Sequence, residues 1–178
     1  MAKIKHPRDS RTQLTEMVMP GELNPLGNLM GGNLMRWMDI AAGICASKHC
    51  ETHVVTASVD HVSFSKPVST GDIITIEASV TRAFNTSVEV FLEVYVLDVR
   101  GKPPVKSNHA YFTMVAIDGT THRPTEVPQI APETDQEKAL FDGAERRREV
   151  RLVLGGKMKV QDANALRNYF LGFEHSER

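Results

Sequence analysis

The chain has 178 residues, 41% of them hydrophobic and 24% charged, with a formal net charge of -1. That is the size and texture of one folded domain with room for an appendage; it excludes a disordered chain and argues against a nucleic-acid partner, which calls for a basic excess. No apolar run approaches the roughly 20 residues that span a bilayer, and the opening Met1-Ala2-Lys3-Ile4-Lys5-His6 is too polar for a signal peptide, so no membrane association and a cytoplasmic location are expected.

Taken along the chain, residues 1–10 are polar and expected to be loose. Thr12 to Met19 reads as a short first strand, stopped by Pro20-Gly21. From Gly31 to about Lys48 the chain carries helix formers and no proline. It is apolar on nearly every face, which predicts a buried helix. Cys45 and Cys50 fall on this helix about 140° apart, so they cannot bridge there, and the chain reads as reduced.

After the helix the apolar period changes to that of strands. Val54 to Phe64 is rich in β-branched residues. Ile74, Ile76, Ala78 and Val80 alternate with Thr75, Glu77, Ser79 and Thr81; Val88, Val90, Leu92, Val94 and Val96 form another row; His109 to Ile117 closes the set. Turn signals separate the strands at Pro67 to Gly71, Phe84-Asn85-Thr86 and Gly101 to Pro104. One apolar face per strand means that the sheet covers something on one side, and the apolar helix is the sizeable element available to fill it. The order β-α-β-β-β-β predicts an α+β hotdog arrangement, an antiparallel sheet wrapped around a long central helix, over residues 1–122. Residues 123–178 read as a proline-punctuated linker and a C-terminal helical extension. Thr134 to about Leu154 is its charged helix, and the last twenty or so residues are weakly patterned.

The sharpest chemical feature lies between the first strand and the helix. Asn24, Gly27, Gly31, Gly32 and Asp39 form the pattern Asn-x2-Gly-x3-Gly-Gly-x6-Asp. Gly31 and Gly32 open the helix, where the first backbone N–H groups lack helical partners and the macrodipole is positive. Without a Cβ they let a carbonyl approach those donors, the essentials of an oxyanion hole. Asn24 supplies an amide that can hold a water or the carbonyl; its bland alternative is a turn residue before Pro25. Asp39 sits about two turns into the helix, facing much the same way as Gly32. A buried carboxylate there needs a reason, either chemistry or an ion pair with Arg36 three residues earlier. His49, Cys50 and His53 do not complete a zinc set, so no metal is expected. His61 and His109 read as structural strand residues, and the arginines from Arg146 to Arg151 as a solvated face, with a grip on phosphate as the alternative.

The segment from Met19 through Asn24, Gly31 and Gly32 to Asp39 resembles the broad-specificity acyl-CoA hydrolases of the hotdog superfamily, bacterial enzymes and the brain-type cytosolic one among them. Further blocks follow in register: Val55-Thr56-Ala57-Ser58-Val59-Asp60, Phe64 to Asp72 with Lys66-Pro67 and Gly71-Asp72, and Asn85-Thr86-Ser87-Val88-Glu89-Val90. Together they cover about 12–120. The resemblance implies hydrolysis of acyl-CoA to free fatty acid and CoA, with Asn24 and Asp39 as the catalytic pair and Gly31 or Gly32 as the oxyanion donor. It implies no cofactor, CoA being part of the substrate. CoA is expected along the sheet and the hairpin, near Arg82, Asn85, Thr86 and Ser87, where hydroxyls, turn amides and a guanidinium suit phosphates. The resemblance also implies a homo-oligomer, a dimer sharing its sites so that Asp39 meets Asn24 and the glycines of a partner, assembled as a trimer of dimers. Met30 stands where relatives often carry histidine or an aromatic residue, a difference that bears on the acyl pocket. Two alternatives remain: a hotdog hydratase or dehydratase, which would need a histidine base that this helix lacks before His49, and a non-catalytic acyl-CoA-binding regulator.

Overall fold

The computed structural model describes residues 3–60, 62, 66–97 and 103–174. The chain divides into two compact units, Met1–Ala131 and Pro132–Arg178. In the first, β1 (Ile4–Lys5) and α1 (Pro7–Ser10) precede β2 (Thr12–Met17) and a single 3-10 turn at Pro20–Glu22. Then come α2 (Gly31–Cys50), β3 (His53–Asp60), β4 (Ile73–Ala83), β5 (Ser87–Leu97), β6 (Val105–Ile117) and β7 (Gln129–Ile130). Of the strand expected from Val54 to Phe64, His61, Ser63 and Phe64 lie outside the described residues, as do Ser65 and Gly101.

The main sheet has the order β2-β4-β5-β6-β3, antiparallel throughout. Its alternating residues fall as the period of two requires. On β4, Ile74, Ile76, Ala78 and Val80 are buried; on β5, Val88, Val90, Leu92 and Val94; on β6, Ala110, Phe112, Met114 and Ala116. These faces pack on Leu34, Trp37, Met38, Ala41, Ala42, Cys45 and Ala46 of α2. One row crosses the sheet as Leu14–Ile76–Val94–Asn108, ending on an amide rather than a hydrocarbon.

The helix is not buried on every side, as its composition had suggested. Ile40 and Ile44 are each 41% exposed, because the five strands curl over one side of α2 only. Cys45 and Cys50 are free and buried. Burial pushes their thiols up to about 12 and about 11, so neither is a nucleophile near neutrality.

Residues 3–10, expected to be loose, are tied down. β1 pairs in parallel with β7, and the buried Lys5 donates from Nζ to the carbonyl of Lys48 at 2.8 Å and pairs with Glu51 at 2.9 Å. The segment read as linker before Pro132 packs within the first unit. Thr125 N–H donates to Ala116, Val127 N–H to Asn85, Gln129 N–H to Lys3 and Ala131 N–H to Lys5. Its prolines fall where no donor is needed, so they mark a strap and not a break. His49, fully buried, shares a 2.8 Å hydrogen bond through Nε2 with the carbonyl of Pro128.

The second unit holds α3 (Asp135–Leu154), a 3-10 turn at Val160–Asp162 and α4 (Asn164–Glu174). A capping box starts α3: Glu137 N–H donates to Thr134 Oγ1 at 3.2 Å, and Thr134 N–H to Glu137 Oε2 at 3.0 Å. The carboxylate of Glu149, on α3, accepts the N–H groups of Ala165 and Leu166 and so caps α4 from a distance in sequence.

Candidate active site

Asn24 begins a tight loop between the 3-10 turn and α2. Its side-chain Oδ1 accepts the N–H groups of Leu26 at 2.9 Å and Asn28 at 3.2 Å, and its backbone N–H donates to the Asn28 carbonyl at 2.7 Å. Gly27 closes the loop with φ +77°, a left-handed conformation that a side chain would strain. The turn reading of Asn24 is what these bonds show: Oδ1 builds the turn, and Nδ2 has no acceptor among the described residues.

The loop delivers the chain to α2 with its first turn open. Met30 occupies the N-cap without a side-chain cap, while Asn33 N–H and Leu34 N–H already bond back to the Met30 carbonyl. The N–H groups of Gly31 and Gly32 are left with no acceptor among the described residues. A Cβ on Gly32 would meet nothing within 4 Å, so a ligand atom has room there. Asn24 and Gly31 share a cleft of about 350 Å³ with Leu34, Lys66 and Ser107. Lys66, which the sequence reading gave no role, also lines it.

Asp39 lies elsewhere. It is exposed on the uncovered side of α2, and no ion pair joins it to Arg36 among the described residues. The expected burial within one chain does not occur, because the sheet leaves that side of the helix open. Its partner is instead Thr56 of β3, whose hydroxyl donates to Asp39 Oδ1 at 2.5 Å. Asp39 and Thr56 line a second, open hollow with Ile40, Ile44, Val55 and Met114. Sequence reading gave Thr56 no role, although it stands in the Val55 to Asp60 block. Its signal was a threonine on a strand, where β-branched residues are ordinary.

Gly31 and Asp39 are eight residues apart on one helix, about 12 Å along its axis. A single thioester carbonyl cannot sit at bonding distance from both. The candidate residues thus fall into two separate groups, Asn24 with Gly31 and Gly32, and Asp39 with Thr56. The nucleotide expectation falls on one turn: Phe84 N–H donates to the Ser87 carbonyl at 2.8 Å, bringing Asn85, Thr86 and Ser87 together, and the Arg82 guanidinium stands 5.8 Å from the Phe84 ring. The described residues hold no group of three or more His, Cys, Asp or Glu side chains placed to share a metal ion. None of their helices is long and apolar enough to cross a membrane.

The model of the thioesterase superfamily matches residues 26–101. A Bacillus subtilis protein named as an uncharacterized acyl-CoA thioester hydrolase is 34% identical over 140 residues, covering 79% of this chain and 81% of its own. The chain belongs to the thioesterase superfamily. Among solved members, an acyl-CoA hydrolase from Staphylococcus aureus in complex with butyryl-CoA and CoA is 35% identical. It superposes with a TM-score of 0.79 over 86% of this chain and 95% of that one. An apo-hexameric acyl-CoA thioesterase, also 35% identical, gives 0.80 over 84% and 95%. These superpositions make the curled sheet around its helix the hotdog fold of this superfamily. In three further structures of the Staphylococcus enzyme, an asparagine, an aspartate or a threonine is replaced by alanine. Those positions are 15 and 17 residues apart, as are Asn24, Asp39 and Thr56 here.

Proposed function

We propose that this protein hydrolyses acyl-CoA thioesters to free acid and CoA in the cytoplasm, as a homo-oligomer whose sites are completed between protomers. The observation that carries the reading is the open first turn of α2. Two N–H donors without acceptors stand beside a cleft lined by Asn24, the equipment for holding a thioester oxygen as it gains negative charge. Asp39 of a partner protomer faces the other side of the carbonyl. Its carboxylate takes a proton from water, the water oxygen attacks the carbonyl carbon, and the tetrahedral oxyanion rests on Gly31 and Gly32. The carbon–sulfur bond then breaks, and the CoA thiolate leaves and is protonated. Thr56 holds one carboxylate oxygen of Asp39 and leaves the other to take the proton. No group beyond the chain and water enters these steps.

The pairing of half-sites is supported by the apolar face beside Asp39. Ile40, Ile44 and Val55, which line the hollow with Asp39, are all more than a third exposed in the single chain, a patch suited to burial against a second copy. The hexameric relative supports a trimer of such dimers. CoA lies with its phosphates toward Arg82 and the Asn85-Thr86-Ser87 turn.

The test is incubation of the purified protein with CoA esters from acetyl to palmitoyl and a thiol reagent. Catalytic release of free CoA is expected. Saturable binding with no thiol released would identify a regulator instead. Hydrolysis in ¹⁸O-water under single-turnover conditions separates the two roles open to Asp39. Label confined to the product acid supports the base, and label in the Asp39 carboxylate identifies it as the nucleophile.

A further inference from the structure

The helix-facing side of β4, β5 and β6 is hydrocarbon at each described position but one. Asn108 is 5% exposed, and neither its Oδ1 nor its Nδ2 has a hydrogen-bond partner among the described residues. Both ends of the amide have lost water and gained nothing, which costs stability unless something else occupies the place.

Its location follows from the register. Met114, on the same face of β6, has its Cε 4.0 Å from where a side chain on Gly43 would begin. From Met114 back to Asn108 is about 20 Å along the strand, and from Gly43 back to Gly31 is about 18 Å along the helix. The two paths run the same way, since Ser107 and Gly31 line one cleft. Asn108 therefore lies under the first turn of α2, inward of the two free N–H donors, at the level of the buried Leu34.

The geometry points to Asn108 as the specificity-determining residue of the acyl pocket, one that selects acyl chains carrying a hydroxyl group. This rests on the thioesterase reading. The cleft beside Gly31 is lined by Ser107, the residue next to Asn108, so with the thioester carbonyl on the Gly31 and Gly32 donors a short acyl chain directed inward past Ser107 would meet the amide. A hydroxyl both donates and accepts, so it can meet either end of that amide whichever way it is turned. A plain alkyl chain leaves the amide unsatisfied, so the site discriminates by a missing hydrogen bond rather than by fit.

The experiment compares kcat/KM for butyryl-CoA with 3-hydroxybutyryl-CoA, and for hexanoyl-CoA with 3-hydroxyhexanoyl-CoA, in the wild type, Asn108→Leu and Asn108→Thr. The wild type should favour the hydroxylated member of at least one pair by about tenfold. Asn108→Leu, close in volume, should abolish that preference while keeping or raising the rate on the plain chain. Asn108→Thr retains a hydroxyl and should keep part of the preference, which gives a second reading if the leucine variant folds poorly. A wild type that favours neither member, or a ratio unchanged in both variants, would overturn the proposal and leave the amide as the seat of a structural water. A wild type that cleaves none of these esters, nor any longer one, overturns the hydrolase reading and this proposal with it.

Discussion

The proposed division of the site between chains makes a quantitative prediction for mixed oligomers. Asn24→Ala breaks the donor half-site and Asp39→Ala the acceptor half-site, each expected to be inactive alone. In a mixed dimer one site joins the intact donors of one chain to the intact carboxylate of the other, and the second site carries both lesions. Random pairing of equal amounts makes half of the dimers mixed, each with one working site of two. Total activity should therefore return to about one quarter of wild type. The 12 Å offset between Gly31 and Asp39 requires this result, because no single chain holds both groups against one carbonyl. Co-expression with two different tags, followed by sequential affinity steps, isolates mixed species, which should run at about half the wild-type rate per chain if they are dimers and about one quarter if they are trimers of dimers. Isolated mixed oligomers no more active than either parent would refute the shared site.

Asp39→Ala should lower kcat by about a hundredfold or more in an oligomer that still assembles, and Thr56→Val by about tenfold, since the latter frees the carboxylate without removing it; size-exclusion profiles with steady-state kinetics check both. His49 gives a stability prediction. Burial, aided by the nearby Lys5 cation, lowers its pKa in the folded chain. The unfolded chain thus takes up the proton first as pH falls, and the contribution of neutral His49 is full above about 6.5 and lost below it. Thermal melts from pH 8 to 5 should show a steeper acid-side fall in Tm for wild type than for His49→Gln, and parallel curves would refute the assignment. A chain ending after Pro132 should keep its turnover number, because the half-sites lie in the first unit. A KM that rises several-fold at low salt alone would show that the arginines of α3 hold CoA phosphate.

Elements with a long period were legible in the sequence. The helix from Gly31 and the rows on β4 and β5 stand where the alternation put them, because burial on one face imposes the pattern directly. The two-residue strands β1 and β7 carry no period, and their pairing depends on partners remote in sequence. α4 was missed because its start signal is the Glu149 carboxylate on the preceding helix, not a residue beside it. The residues of the proposed site stand out in the sequence by their spacing, but the exposure of Asp39 was not legible there. An apolar helix has the same composition whether one chain covers it or two. Asn108 was hidden for a related reason: an asparagine in a strand is notable only once its neighbours across the sheet are known.

The strap of residues 123–131 has a consequence for how the protein is made. His6 and Ala131, hydrogen-bonded at 3.0 Å through Nδ1 and the carbonyl, are 125 residues apart in sequence. During synthesis β1 emerges 125 residues ahead of its partner, the separation of Ile4 from Gln129, and waits for it until β7 has been translated. The Val127 bond that holds the carbonyl of Asn85 arrives in the same late stretch. A nascent chain can therefore assemble helix and sheet early, but fastening β1 and steadying the Asn85 turn happen in one closing event. Ribosome-bound chains stalled before β7 should expose the first ten residues to protease, and chains stalled after β7 has left the exit tunnel should protect them.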